Sequence, residues 1–493
     1  MDPPFEIILH NPPYPALPMA TSARQVPLDI RIAPHRLPPD TLAAHRRLSP
    51  AAGRFLEHLL DHPDQAARLE GFGQGLPDWM IPYDITWPTL VDARRVAEME
   101  RATVGVCKLI RAIPEVVFGG DLKAISLFYG YDPIMLAAML SVPRHVDSTV
   151  ARCDFIDTPR GLMCCEVNMA ANLGGWHHGF WIERYLRHPV MMDFCDREGI
   201  SPGIRDVLVS FCQHMIDDAL DSGVIEPGGE LNLVVAVDQP PTEGARRLAA
   251  EVYAELLRRD GRGVTGQLWL TNAPAEELTF RGLDVYMGEW RVHVFYGYTR
   301  ANTPGQVLRA QLTRGIRVYN GGLTRMWVDK RNLALLSENE GLAAWTEEDC
   351  QLIRDHIPWT RLVSPRATTW RGAEVRLPGF LLDHRDDLVL KRGLGLGGTA
   401  VHVGRYLAPD AWEARVREAM EEGGWIVQEW MESRPYLYPS RPGAAPVPNA
   451  VIWGLFCTGW RYGGGCLRML PQGAGEGIVN GSRGACEGAI LEI

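Results

Sequence analysis

Apolar positions recur along this chain with two periods, and the places where the period changes mark its elements. Spacing of three to four residues predicts helices over 49–69, 86–113 (with Thr89 or Asp92 near its start), 133–140, 243–259 and 412–422. Alternation with period two predicts strands at 151–156 and 162–167 flanking a turn at 157–161, which together read as a hairpin. The run L-N-L-V-V-A-V over 231–237 is continuously apolar and ends at Asp238. With the helix after it and a strand at 267–270 it reads as a parallel βαβ unit. Further strands are expected at 292–298, 388–390, 399–403, 425–432 (turning polar toward its end), 451–456 and 463–469. Residues 1–45 are proline-rich and are expected to form an irregular wrap; no internal repeat interrupts the pattern. The expected fold class is α/β (α+β).

Two stretches combine this patterning with chemistry. In the hairpin, alternation places Arg152 and Asp154 on one face of the first strand, and Glu166 and Asn168 on one face of the second. Two carboxylates and an amide oxygen are hard donors, suited to Mg²⁺ on nucleotide phosphates. Arg152 beside them can hold a phosphoryl or acyl oxygen. The competing reading is a surface ion-pair cluster on an amphipathic hairpin.

The second stretch, L-V-L-K-R-G-L-G-L-G-G-T-A-V-H-V-G over 388–404, runs from a strand through Lys391 into Gly393, Gly395, Gly397 and Gly398. Glycines let backbone N–H groups approach phosphates, and the lysine adds a fixed charge. A dinucleotide-binding loop would be followed by a helix, whereas a strand follows here. A kinase glycine loop precedes its lysine, and His384-Arg385-Asp386 has no D-F-G after it. The competing reading is a glycine hairpin with no ligand.

Composition narrows the classes. The 493 residues are 46% hydrophobic and 22% charged, enough for two or three lobes around sizeable cores. A net charge of −10 argues against nucleic acid or an anionic membrane as partner. Neither a basic segment ahead of an apolar run near Met1 nor an 18-residue apolar span is visible, so a cytoplasmic protein is expected. Ten cysteines without a C-x-x-C point to reduced thiols rather than a zinc or disulfide framework. His177-His178 has no spaced partners in the sequence and reads as a surface or hydrogen-bonded pair.

Taken together, L-V-L-K-x-G-x-G-x-G-G followed by V-Q-E at 427–429 resembles the nucleotide lobe of ATP-grasp enzymes, and R-x-D…E-x-N at 152–168 resembles their metal motif. The metal motif here precedes the glycine loop. That order is similar to circularly permuted ATP-grasp enzymes, especially the amide-synthetase domain of glutathionylspermidine synthetase. The D-K-R-N segment at 329–332 and I-P-W-T at 357–360 resemble related permuted proteins. The resemblance implies two lobes sandwiching ATP. An irregular and helical region (1–85), the start of a metal-binding lobe (86–228) and a Rossmann-like region (229–328) would come first. A nucleotide lobe with glycine loop and hinge (329–435) and closing strands (436–493) would complete the chain.

It also implies ATP and Mg²⁺, two ions, as cofactors. Lys330 and Lys391 match the family's phosphate-binding lysines, and Asp154, Glu166 and Asn168 its metal ligands. Gln428 and Glu429 would face adenine and ribose, with the backbone at Trp430 reading the adenine edge. Arg152 and Arg468 would neutralise charge in an acyl-phosphate route joining a carboxylic acid, an amino acid or short peptide, to an amine. The 169–175 loop lacks hydroxyl residues, which points away from glutathione as the acid. An ATP-grasp phosphotransferase and a non-catalytic nucleotide-binding protein are the alternatives.

Overall fold

The computed structural model describes residues 39–70, 85–141, 149–170, 173–297, 303–313, 315–319, 321–395, 400–441 and 443–493. Three main sheets organise them. The largest runs Thr89–Val91, Cys486–Glu492, Arg461–Pro471, Pro446–Thr458, Val150–Thr158, Gly161–Asn168 in space, with Tyr436–Pro439 pairing Pro446–Thr458 as a seventh strand. Within it only the Thr89–Val91 pairing is parallel.

Alternation gives this sheet two unlike faces. Cys153, Phe155, Val167, Trp453, Leu455, Leu467 and Met469 join Met99, Ala102, Val106 and Ile110 of the helix Ala93–Val116 in the largest apolar core. Burying each large side chain of this kind contributes roughly 1.5–3 kcal/mol. The opposite face mixes apolar side chains such as Phe456 and Cys466, which join a second core, with a polar cluster. There the register sets Arg152 against Asn168, Asp154 against Glu166 and Gly454, and Arg468 against Glu487.

The second sheet is wholly parallel, in the order Arg317–Tyr319, Val294–Gly297, Leu233–Ala236, Leu268–Thr271. Leu233–Ala236, the helix Glu243–Asp260 and Leu268–Thr271 form the expected βαβ unit; Thr242 caps the helix and Gly261, at φ 77°, ends it. The third sheet is antiparallel: Thr360–Leu362, Trp425–Glu429, Leu388–Arg392, Val401–Val403. Trp412 and Val416 of the helix Pro409–Glu422 pack with Leu388, Leu390 and Val427 in its core.

Several elements depart from the sequence expectation. The helix expected over 49–69 is two, Pro50–Asp61 and Pro63–Glu70, because Pro63 has no N–H to continue the first and is pre-set to open the second. The helix expected from residue 86 begins only at Ala93, capped by Asp92, because Thr89–Val91 pairs as a strand with residues 490–492. The C-terminal strand Cys486–Glu492 is not among the elements expected from the sequence. Residues 39–45 of the expected irregular wrap belong to a helix, and the rest of it lies outside the described residues. No disulfide joins any of the ten cysteines. No helix among the described residues is long and apolar enough to cross a membrane.

Candidate active site

The hairpin forms with the predicted faces, and its turn narrows to Pro159-Arg160. Asp154 pairs with Glu166 and Phe155 with Cys164, which leaves Cys165 as an extra residue in a bulge. The bulge keeps Glu166 on the same face as Asp154. It also leaves the Cys165 carbonyl to accept a hydrogen bond from Lys391 Nζ at 3.0 Å.

Asp154 is the hub of the polar cluster. Arg152 donates to it from Nε (2.8 Å) and Nη2 (3.2 Å), Arg468 from Nη2 (2.7 Å), and Asn168 from Nδ2 (3.5 Å). Burial opposes ionisation of Asp154, but the two guanidiniums outweigh it and hold its carboxyl below the usual range. Gly454, on the adjacent strand, makes room for this arrangement: a Cβ there would lie 3.1 Å from both Arg152 Cδ and Cys466 Sγ.

Lys330 joins the hairpin to the glycine loop. Its Nζ pairs with Glu166 Oε1 at 2.9 Å and donates to the Gly395 carbonyl at 2.7 Å, while its backbone N–H donates to the Gly393 carbonyl. Its neighbours in the D-K-R-N motif have structural partners. Asp329 accepts from the backbone N–H and guanidinium of Arg331, Arg331 lies 4.4 Å from the Phe128 ring centroid, and Asn332 accepts from Tyr129. Lys391 is buried against Gln428, whose Oε1 accepts from Nζ at 2.7 Å and whose Nε2 donates to Thr360 Oγ1 at 3.0 Å. Burial lowers the Lys391 pKa, and Lys330 nearby adds to the lowering.

Gly393 is required by its surroundings. A Cβ there would fall 2.7 Å from Asp329 Oδ1 and 2.9 Å from the Gly424 carbonyl, whereas one at Gly395 would meet only ordinary contacts at 3.6 Å and beyond. Gly393→Ala is therefore expected to cost about 1–3 kcal/mol of unfolding free energy through overpacking, and Gly395→Ala much less. Denaturant titration of the two variants checks this; equal stabilities would refute the contact argument. Gly397 and Gly398 lie outside the described residues.

The hinge side chains have protein partners. Gln428 turns to Lys391 and Thr360, and Glu429 Oε1 accepts from Arg160 Nη1 and the Trp359 N–H. The Trp430 N–H donates to the Asp387 carbonyl at 2.7 Å. Sequence reasoning missed Thr360, the Cys165 carbonyl and Gly454. A bulge and the glycine of a neighbouring strand leave no local signal.

The donor set fits the implied groups. Asp154 and Glu166 stand opposite each other on one face as hard oxygen donors, with the Asn168 amide beside them and Arg152, Arg468 and Lys330 paired to the two carboxylates. Lys330 and the buried Lys391 flank the start of a glycine loop, an arrangement suited to a polyanion.

No protein-family model matches the sequence, and no curated protein matches it. Among solved structures, a glutathione synthetase-like effector from Globodera pallida in its apo form is similar, with TM-score 0.52 and 10% identity over 87% of this chain and 96% of that one. A candidate gamma-glutamylcysteine synthetase from Methylobacillus flagellatus matches at TM-score 0.35 and 11% identity, over 73% of this chain and 84% of that one. The first likeness is one of fold. This mixed α/β chain is built like a glutathione synthetase-like protein over most of its length.

Proposed function

We propose that the chain is an ATP- and Mg²⁺-dependent carboxylate–amine ligase on a circularly permuted ATP-grasp fold. One observation carries the reading. Lys330 and Lys391, far along the chain, meet the hairpin of Asp154 and Glu166 directly, through Glu166 and the Cys165 carbonyl. On this reading a phosphate-binding loop and a metal-type carboxylate set share one site although their order along the chain is inverted.

Asp154, Glu166 and Asn168 would hold Mg²⁺, which supplies charge neutralisation for phosphoryl transfer. The acid's carboxylate oxygen attacks the γ-phosphorus of ATP, breaking its bond to the bridging oxygen and releasing ADP. The amine nitrogen then attacks the acyl carbon, phosphate leaves, and the nitrogen gives up a proton to form the amide. Lys330 and Lys391 hold the phosphates. Arg152 and Arg468, freed in part from Asp154, meet the charge on the transferred group. Catalysis here is positioning and electrostatics, without a covalent enzyme nucleophile.

Incubation with ATP, Mg²⁺, hydroxylamine and a panel of amino acids and short peptides tests this. The expected result is an acid-dependent hydroxamate with stoichiometric ADP. A stable phosphorylated product would instead indicate a phosphotransferase, and nucleotide binding without ADP a non-catalytic protein.

A further inference from the structure

We infer that His177, His178 and Glu487 form a binding site for a divalent transition-metal ion of the zinc class, separate from the oxygen-donor set around Asp154. The two imidazoles reach the same carboxylate oxygen: His177 Nε2 lies 2.9 Å from Glu487 Oε2, and His178 Nε2 lies 3.1 Å from it. One ligand atom from each of the three residues lies within 4.8 Å of the others. Ligand atoms around a tetrahedral zinc are about 3.3 Å apart, given metal–ligand bonds near 2.0–2.1 Å. Both imidazole–carboxylate separations already stand close to that spacing.

The surroundings suit an ion. The side chains are 10%, 0% and 7% exposed, so the site is shielded from competing water. Two nitrogens and one oxygen select zinc, cobalt, nickel or copper over magnesium. Three protein ligands leave one position open. Such an ion would tie the start of the helix His178–Leu186 to the C-terminal strand. The inference does not depend on the ligase reading.

Chelator-treated protein titrated with Co²⁺ alone tests it. The expected result is one equivalent bound with the intense visible absorption of four-coordinate cobalt. Glu487→Gln and His177→Gln are each expected to weaken binding by at least about tenfold, a loss that even outer-shell changes can cause. His177→Gln, at the rim of the site, serves if Glu487→Gln does not fold. His58 and His62, with ring centroids 4.4 Å apart, are a competing place for cobalt, so His62→Ala should leave the absorption unchanged. Absence of the bands in wild-type protein would overturn the inference. So would binding that survives both site variants or is lost with His62→Ala.

Discussion

Lys391→Met is expected to lower ADP formation by about 10²–10³-fold while shifting the melting temperature by only a few degrees. Lys391 is a buried cation held by one carbonyl and one amide oxygen, with no carboxylate bonded to it among the described residues. In the proposed mechanism its value would lie in the charge it offers a phosphate, and burial makes that charge costly while no anion is bound. Methionine keeps the length and apolar stem of the side chain. It leaves the Cys165 carbonyl and Gln428 Oε1 without a donor, at about 1–3 kcal/mol each, and removes the cost of the buried charge in return. The pH dependence has a definite sign. Burial lowers the Lys391 pKa below 10.5 in the folded state. Between that lowered value and 10.5 the unfolded chain holds the extra proton, so this group's contribution makes wild-type stability rise with pH. The variant lacks the contribution, and its stability relative to wild type should fall as pH climbs through the window. The measurement pairs steady-state ADP release with thermal melts across pH. ADP release within about threefold of wild type would remove Lys391 from the proposed mechanism.

How much of this is legible in the sequence depends on whether the signal is local. The hairpin is readable because alternation and the P-R-G turn are local, and a sheet with one apolar face fixes which side chains meet. The parallel βαβ unit is readable from the run at 231–237 and the periodic helix after it. The bulge at Cys165 is not, because one extra residue in a strand depends on the partner strand. Nor is the strand at Thr89–Val91, whose parallel partner lies at the far end of the chain. His177-His178 looks isolated for the same reason. Their partner Glu487 is 310 and 309 residues away, on a strand that the sequence pattern does not announce. Lys330 stands out by motif resemblance, yet its bond to Glu166 follows only from the fold.

Asp218→Ala is expected to destabilise the fold by about 3–5 kcal/mol, the cost of leaving a buried charge without its partner. Arg317, 1% exposed, opens a strand of the parallel sheet, and Asp218 lies on the helix Val207–Asp221 beside it. The carboxylate accepts from Arg317 Nε at 2.7 Å and Nη2 at 2.5 Å, and from the Tyr319 hydroxyl at 3.0 Å. Alanine removes every one of these acceptors. So deeply buried a guanidinium cannot turn to bulk water instead, and methyl packing cannot compensate an ion. Replacing both partners should behave differently, because the double variant Asp218→Leu/Arg317→Met buries no charge at all. Chemical denaturation of the single and double variants separates the two effects. The double variant is expected to be clearly more stable than Asp218→Ala. A single-variant loss below about 1 kcal/mol, the range of an exposed pair, would show that Arg317 finds another counter-charge or reaches solvent.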